Sequence, residues 1–127
     1  MNKGVLKTLG ITITVDEIGK CAVEMPITEK VLQPFGYVHG GVNVLLAETA
    51  ASMGAFKMIS DDEIAFGMEI NANHLRAKRE GTLTATALLK HGGSTSQVWE
   101  IEVTDEENAL VALSRCTVAI RKKKISK

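Results

Sequence analysis

The sequence predicts an α+β domain in which a curved antiparallel sheet of about six strands wraps around one long central helix. A run of apolar and small residues from Val42 to Met58 contains only two charged residues, Glu48 and Lys57. Two segments of alternating hydrophobicity precede this run and four follow it, with short polar turns that make neighbouring strands antiparallel. No repeat or linker divides the 127 residues, so we expect a single domain with a core at about 9–120 and a basic tail at 121–127.

The segments before the long helix are short. Alternation of apolar and polar residues predicts two strands here, and Pro26 ends the second one because proline cannot donate a hydrogen bond to the sheet. The predicted elements are a short helix at 2–9, strands at 11–15 and 21–25, a turn at 16–19 and an ordered loop at 27–38.

The long helix is predicted from about His39 to Ile59. Its apolar residues lie all round instead of along one stripe, which is typical of a helix enclosed by the rest of the protein. The segments after it predict strands at 65–75, 82–89, 97–104 and 110–120, with turns or loops at 80–81, 91–94 and 105–108. One helix cannot cover such a sheet completely, so we expect homo-oligomerisation to cover the remaining edges and faces.

Charge and cysteine content exclude several classes of function. Lys and Arg (15) balance Asp and Glu (15), and the basic run Arg121–Lys124 has no interleaved aromatic residue, so we interpret it as a solvated end and expect no nucleic acid. Cys21 and Cys116 lie far apart in strand-like segments, which predicts buried thiols in a reducing, cytoplasmic compartment. Charges interrupt the longest apolar run and no leader peptide is recognisable, so we expect no membrane segment.

Familiar catalytic motifs are missing from the sequence. There is no Gly-x-Ser-x-Gly segment, and neither a phosphate-binding nor a dinucleotide-binding loop occurs. His39, His74 and His91 lack the spacing of metal ligands. We therefore expect an activity that needs neither a metal nor a cofactor.

Glu48 is the exception on the apolar helix. An ionised carboxylate is costly to bury alone, so this side chain is paired, faces a cleft, or has a raised pKa. A structural alternative is a buried ion pair with Arg76 or Arg115 on a strand. A carboxylate in a cleft would be a candidate catalytic group.

The residues at the start of the helix are the second candidate. Gly40 and Gly41 would let backbone N–H groups approach a ligand where the helix favours negative charge, which would form an oxyanion hole; alternatively they only permit a tight turn. His39 is expected either to hydrogen-bond a carbonyl oxygen or to fix the loop, and Gln33 to donate its amide to the same oxygen. Ser52 lies on the face of Glu48, where it would hold a water or the carboxylate, or simply pack.

Four segments carry a resemblance to a known family. They are 33–42 (QPFGYVHGGV), 46–52 (LAETAAS), 69–76 (EINANHLR) and 97–101 (QVWEI). Together they resemble the hotdog-fold acyl-CoA thioesterases, of the phenylacetyl-CoA and 4-hydroxybenzoyl-CoA thioesterase type. They are most similar to the branch that includes 1,4-dihydroxy-2-naphthoyl-CoA thioesterases, and the likeness extends from about Leu9 to Ile120.

The resemblance implies a hotdog fold whose sheet continues into a second copy, as a homodimer that is expected to double into a homotetramer. It implies hydrolysis of an aromatic or medium-size acyl-CoA at the dimer interface. Gln33, His39 and the Gly40 amide of one protomer would polarise the thioester carbonyl. Glu48 of the other would attack it or activate a water, with Ser52 in support.

The resemblance also assigns residues to the rest of the substrate. The implied substrate-binding and CoA-binding residues are Gly41, His74, Arg76, Ser94 and Thr95. Because the loop at 91–95 carries no Lys or Arg, Lys90, Arg115 or the basic tail would have to supply positive charge for the CoA phosphates. The aromatic and methionine residues that would line an acyl pocket, or else belong to the core, are Phe35, Tyr37, Met53, Phe56, Phe66 and Met68.

Two other functions remain open at this point. A non-catalytic acyl-CoA-binding protein would have no use for a buried carboxylate. A hydratase or dehydratase of the same fold would require an Asp and His pair, for which the sequence offers no pattern.

Overall fold

The computed structural model describes residues 3–124. Its elements in chain order are α1 (Gly4–Leu9), β1 (Thr12–Glu17), β2 (Lys20–Pro26), a 3₁₀ turn (Glu29–Val31), α2 (Gly40–Phe56), β3 (Glu63–His74), β4 (Thr82–Gly92), β5 (Ser96–Thr104) and β6 (Leu110–Lys122). The six strands form one antiparallel sheet in the order β1-β2-β4-β5-β6-β3, so β1 and β3 are its edges. This confirms the predicted α+β architecture of six strands and one long helix.

Small residues on α2 bring the helix close to the sheet. The buried face of α2 consists of Asn43, Leu46, Ala47, Ala50, Ala51, Gly54 and Ala55. A Cβ atom on Gly54 would lie only 2.6 Å from Cη2 of Trp99, so the indole ring occupies the space of a side chain. Trp99, Ile101 and Val103 on β5 are fully buried and face this side of the sheet, as their alternation predicted.

The expectation that α2 is enclosed all round is wrong for the single chain. Its other face carries Val44, Leu45, Glu48 and Ser52, which are only partly buried. One sheet covers one side of a helix, and the open side is approached by Leu6 of the short helix α1 and by Gly67 on β3. The apolar residues on the open face therefore stay partly accessible in the single chain.

Some element boundaries differ from the sequence-based ones because pairing with a neighbouring strand extends them. His91 and Gly92 were expected in a loop, but they pair with Val98 and Gln97 and belong to β4. Glu17 extends β1 beyond the predicted end of that strand, because it pairs with Lys20.

The basic tail is also partly a strand. Arg121 and Lys122 complete β6, and Nζ of Lys122 lies 3.0 Å from Oδ2 of Asp62. These two residues are therefore part of the sheet, and both stay exposed to solvent as expected. The last part of the predicted tail, residues 125–127, lies outside the described residues.

Both cysteines are core residues, as predicted. Burial raises the pKa of each thiol to about 11, so neither is an activated nucleophile. Within residues 3–124 no helix has the length and apolar character needed to cross a bilayer.

Candidate active site

The side chain of His39 forms a hydrogen bond at the start of helix α2. Its Nδ1 accepts a hydrogen bond of 2.9 Å from the Gly41 N–H, which makes it the N-cap residue. Its carbonyl oxygen accepts from the Val42 N–H at 2.9 Å. A neutral imidazole that accepts at Nδ1 carries its proton on Nε2, so His39 keeps one N–H free to donate.

The same bond decides which glycine amide is available. The Gly41 N–H is occupied by His39, so its predicted use as a ligand donor is wrong for this conformation. The Gly40 N–H has no hydrogen-bond acceptor within the described part of the chain, as expected for the first residue of a helix. Because the start of a helix also favours negative charge, Gly40 presents the free donor of a candidate oxyanion hole.

Gln33 is locked into its turn by its own side chain. Its Oε1 accepts from the Phe35 N–H at 2.6 Å and from the Tyr37 N–H at 3.3 Å. On the other side of the turn, Arg79 donates to the Phe35 carbonyl at 3.3 Å and stacks 4.6 Å from the centre of the Tyr37 ring. With its carbonyl oxygen engaged, Gln33 has only its NH₂ group left to offer a ligand.

A first cavity of about 480 Å³ lies at the start of α2. Its lining contains Gln33, Gly40, Asn43, His74 and Arg76, so four residues predicted from the sequence meet there. Asn43 was not predicted: it is only 4% exposed, and its Nδ2 lies 3.4 Å from Nδ1 of His74. The signal was present, because an amide on an apolar helix is as unusual as the carboxylate of Glu48.

Glu48 lies in a second cavity of about 440 Å³, along the open face of α2. The residues that line it are Leu6, Gly41, Val44, Leu45, Glu48, Thr49, Ser52 and Met53. Among residues 3–124 no Lys, Arg or His nitrogen approaches its carboxylate within 4.0 Å, so the alternative ion pair with Arg76 or Arg115 does not form. Glu48 is thus an unpaired carboxylate that faces a mainly apolar cleft, with Ser52 one turn further along the same face.

Gly67 on β3 provides the place where the Glu48 side chain rests. A Cβ atom on Gly67 would overlap Oε2 of Glu48 and would lie 2.9 Å from its Cδ. The register of β3 also shifts between Gly67 and Glu69, which marks a bulge beside the carboxylate. Sequence reasoning missed this residue, although a glycine inside a strand is a known sign of close approach.

The two candidate groups, the Gly40 amide and the Glu48 carboxylate, lie at different positions along α2. Gly40 and Glu48 are eight positions apart on α2, which separates their backbones by about 12 Å along the helix axis. Gly40 lines the first cavity, whereas Glu48 lines the second and a smaller pocket beside Gly67, so the two residues share none of these three cavities.

Ser94 and Thr95 lie apart from both cavities, in the exposed connection between β4 and β5. The end of β6 braces this loop: the Thr95 carbonyl accepts from the Ile120 N–H at 2.9 Å and from Nη1 of Arg121 at 2.8 Å. Arg121 therefore brings a positive charge to the loop. Of the other candidate cations, Lys90 lies 3.9 Å from a carboxylate oxygen of Glu100.

The alternative that the aromatic and methionine residues belong to the core is wrong for most of them in the single chain. Phe35, Tyr37, Phe56 and Phe66 are all exposed in the single chain, and Met68 is exposed too, so none of them belongs to its core. Met53 lines the second cavity, Tyr37 lines the first, and Met68 lines the smaller pocket that Glu48 shares with Gly67. The reason is that these side chains lie on the loop, on the end of the helix and on the edge strand, which the sheet does not cover. In the described chain no three His, Cys, Asp or Glu side chains are grouped to hold a metal ion.

Comparison with known proteins identifies the family of the chain. Residues 35–112 match the family model described as the thioesterase superfamily. A 1,4-dihydroxy-2-naphthoyl-CoA hydrolase from Listeria monocytogenes is 57% identical over 121 residues, which are 95% of this chain and 98% of that protein.

Two solved structures extend the comparison to the fold. A mutant of the thioesterase SAV0944 from Staphylococcus aureus superposes with a TM-score of 0.90 at 40% identity, over 92% of this chain and 98% of that one. The E. coli PaaI protein from the phenylacetic acid degradation operon superposes with a TM-score of 0.87 at 29% identity, over 98% and 89%. The chain therefore belongs to the thioesterase superfamily and is a thioester hydrolase with the hotdog fold.

Proposed function

We propose that this protein hydrolyses an aromatic or medium-size acyl-CoA to the free acid and CoA, in the cytoplasm and without a metal or cofactor. The observation that carries the proposal is the unpaired carboxylate of Glu48 in a mainly apolar cleft. The free Gly40 amide at the start of the same helix supplies the complementary donor. The name of the Listeria relative supports an aromatic acyl group.

In the proposed mechanism the thioester carbonyl oxygen binds at the Gly40 N–H. The NH₂ group of Gln33 and the free Nε2–H of His39 add further donors. Glu48 of a second copy then removes a proton from a water that attacks the carbonyl carbon, or attacks this carbon itself and forms a mixed anhydride that water hydrolyses to the free acid and the Glu48 carboxylate. Ser52 holds the water or the carboxylate. Negative charge that develops on the oxygen is stabilised by the fixed donors, and the CoA thiolate leaves and takes up a proton.

Three features support a homodimer that shares its active sites. The two halves of the site are separate within one chain, the outer face of α2 is uncovered, and β3 is an unpaired edge of the sheet. A second copy that pairs its own β3 with this edge would continue the sheet and cover the open face of α2. Phe66 and Met68, exposed on β3, would be buried by that step, and further doubling would give the tetramer.

The rest of the substrate is assigned by the same reasoning. His74 and Arg76 line the first cavity and would border the acyl and pantetheine path. Ser94 and Thr95 would hydrogen-bond the CoA phosphates, with Arg121 as the cation that the loop itself lacks.

The first experiment measures thiol release from a panel of acyl-CoA thioesters. A thioesterase frees CoA, a hydratase changes the acyl group without freeing CoA, and a binding protein only takes up ligand. We expect Glu48→Gln to lower kcat by at least about 10²-fold while the thermal midpoint stays unchanged. Wild-type kcat in this variant on every responsive substrate would refute the assignment of Glu48.

A second experiment tests the shared site by mixing two inactive variants. Glu48→Ala removes the carboxylate, and Gly40→Pro removes the amide at the first helical position, where proline is well tolerated. The proline would also press on His74, which belongs to the same half of the site. Co-expressed, the two variants should regain about a quarter of wild-type activity, because half of the dimers are mixed and each has one intact site. No recovery, with mixed dimers shown by mass spectrometry, would place both groups in one chain.

A further inference from the structure

His74 lies directly over the start of helix α2. A Cβ atom on Gly40 would be 3.1 Å from Nε2 and 3.2 Å from Cε1 of His74, so this edge of the imidazole fills the space that a larger residue would occupy. The ring lines the same cavity as Gln33. A proton on Nε2 of His74 would therefore be presented next to the free Gly40 amide.

Asn43 approaches the other side of this ring. It lies one turn after Gly40 on α2, is 4% exposed, and places its Nδ2 at 3.4 Å from Nδ1 of His74. Within residues 3–124, the side chains of Asn43 and His74 make no other hydrogen bond. The Oδ1 atom of Asn43 is buried without a hydrogen-bond donor.

A buried amide that is only half satisfied is costly, because its unpaired oxygen has lost its hydrogen bonds to water. Ser or Ala at position 43 would avoid most of this cost and would suit the small-residue face of α2. The amide is therefore better explained by what it does to His74 than by packing.

We propose that Asn43 is a positioning residue that holds neutral His74 with its proton on Nε2, directed at the thioester beside the Gly40 amide. The amide N–H of Asn43 donates to Nδ1, and an imidazole that accepts at Nδ1 is protonated at Nε2. His39 is held in the same way by the Gly41 N–H. Two imidazoles at the start of α2 thus have Nδ1 capped by an N–H and Nε2–H free.

The catalytic meaning of this inference rests on the proposed function, but the tautomer can be measured without substrate. The ¹⁵N chemical shifts of the ring nitrogens distinguish protonated from unprotonated nitrogen, and a His74→Gln variant assigns the signals. At about pH 8, wild-type His74 should show unprotonated Nδ1 and protonated Nε2. In Asn43→Asp the carboxylate can only accept, so the proton should move to Nδ1. Protonated Nδ1 in the wild type, or unchanged shifts in Asn43→Asp, would overturn the proposal.

Kinetics test whether the fixed tautomer matters for turnover. Asn43→Ala should give mixed tautomers and a kcat lowered by roughly 10-fold to 100-fold, with a smaller change in KM. Gln97→Ala is the matched control, because it also removes a buried amide, the acceptor of the Trp99 indole N–H at 2.9 Å, yet lies far from His74 in the fold. If this control lowers kcat as much as Asn43→Ala does, the effect is structural and the positioning role is refuted.

Two outcomes remain to be separated. If Asn43→Ala does not fold, Asn43→Asp replaces it in the kinetic measurement and should lower kcat at least as much. Asn43→Ser, whose hydroxyl can donate, should keep more of the Nε2–H population and of kcat than Asn43→Asp. If the wild type hydrolyses no thioester, the proposed function fails, whereas the ring shifts still decide whether Asn43 fixes His74.

Discussion

Replacing Gly67 by alanine tests whether the contact between β3 and Glu48 positions the carboxylate. The new methyl group would overlap Oε2 of Glu48 and lie 2.9 Å from Cδ. Because carbon atoms in contact are about 3.5–4.0 Å apart, Cδ would have to withdraw by at least about 0.6 Å, and the oxygen by more. The carboxylate is the free end of a flexible side chain and has no ion-pair partner within residues 3–124, so it can rotate away.

The expected effect on activity is large and the effect on stability is small. A displacement of about 1 Å at a reacting group costs on the order of 10²-fold in rate, or about 2.7 kcal/mol of barrier. Alanine in place of glycine within a strand usually gains about 0.5–1 kcal/mol of folding stability. Gly67→Ala should therefore lower kcat by roughly 10-fold to 100-fold, while its thermal midpoint stays the same or rises.

The assay is thiol release at saturating acyl-CoA, together with thermal unfolding of the same samples. Gly92→Ala on β4 is the control, because its new Cβ would meet only Cδ2 of Leu89 at an ordinary 3.4 Å, and it should keep the wild-type kcat. Wild-type kcat in Gly67→Ala would show that the carboxylate does not react from its place against β3.

Three further predictions concern the core and the ionisable groups. Gly54→Ala should lower the free energy of unfolding in urea by about 1–2 kcal/mol, because its methyl would lie 2.6 Å from Cη2 of Trp99. This overpacking outweighs the gain in helix propensity. An unchanged urea midpoint would contradict the packing described. The hydrogen bond from the Thr82 N–H holds the pKa of Glu106 below its usual range. The Glu106 carboxylate therefore contributes stability at neutral pH that is lost as the pH falls through the lowered pKa. Between pH 6 and 3 the urea midpoint of Glu106→Gln should fall less than that of the wild type. Burial raises the pKa of Cys116 to about 11, so iodoacetamide at pH 8 should modify it far more slowly in the native protein than in urea, and equal rates would refute its burial.

Most of the fold could be predicted because the alternation of apolar and polar residues within a strand shows which of its side chains are buried. The alternation of Trp99, Ile101 and Val103 with polar neighbours identified the inner face of β5 without any tertiary information. The ends of the strands could not be found in this way. His91 continues β4 only because Val98 lies opposite to it, and a local pattern contains no register.

The site was predictable where a residue conflicts with its local surroundings. Glu48 is a charge among apolar residues, and the glycines at the start of α2 interrupt an otherwise regular pattern. Asn43 and Gly67 were missed because each is important only through a contact with a residue that is distant in the sequence. Asn43 contacts the imidazole of His74 at the end of β3, and Gly67 contacts the carboxylate of Glu48 on α2. The exposure of one face of α2 could not be predicted either. A helix that is apolar on all sides has the same sequence pattern whether its own chain or another molecule covers each face.

β3 is the third strand along the chain, yet its only neighbour in the sheet is β6, the last described one. Glu63 pairs with Lys122 and His74 with Ala112, so this edge is closed by contacts between the middle and the far end of the chain. Such long-range closure is entropically costly and slow. During synthesis α2 and its carboxylate are thus made well before Gly67 can be fixed beside them. The sheet partner of Gly67 is Val118 on β6, so the surface against which the Glu48 side chain rests is completed only when β6 has joined the sheet.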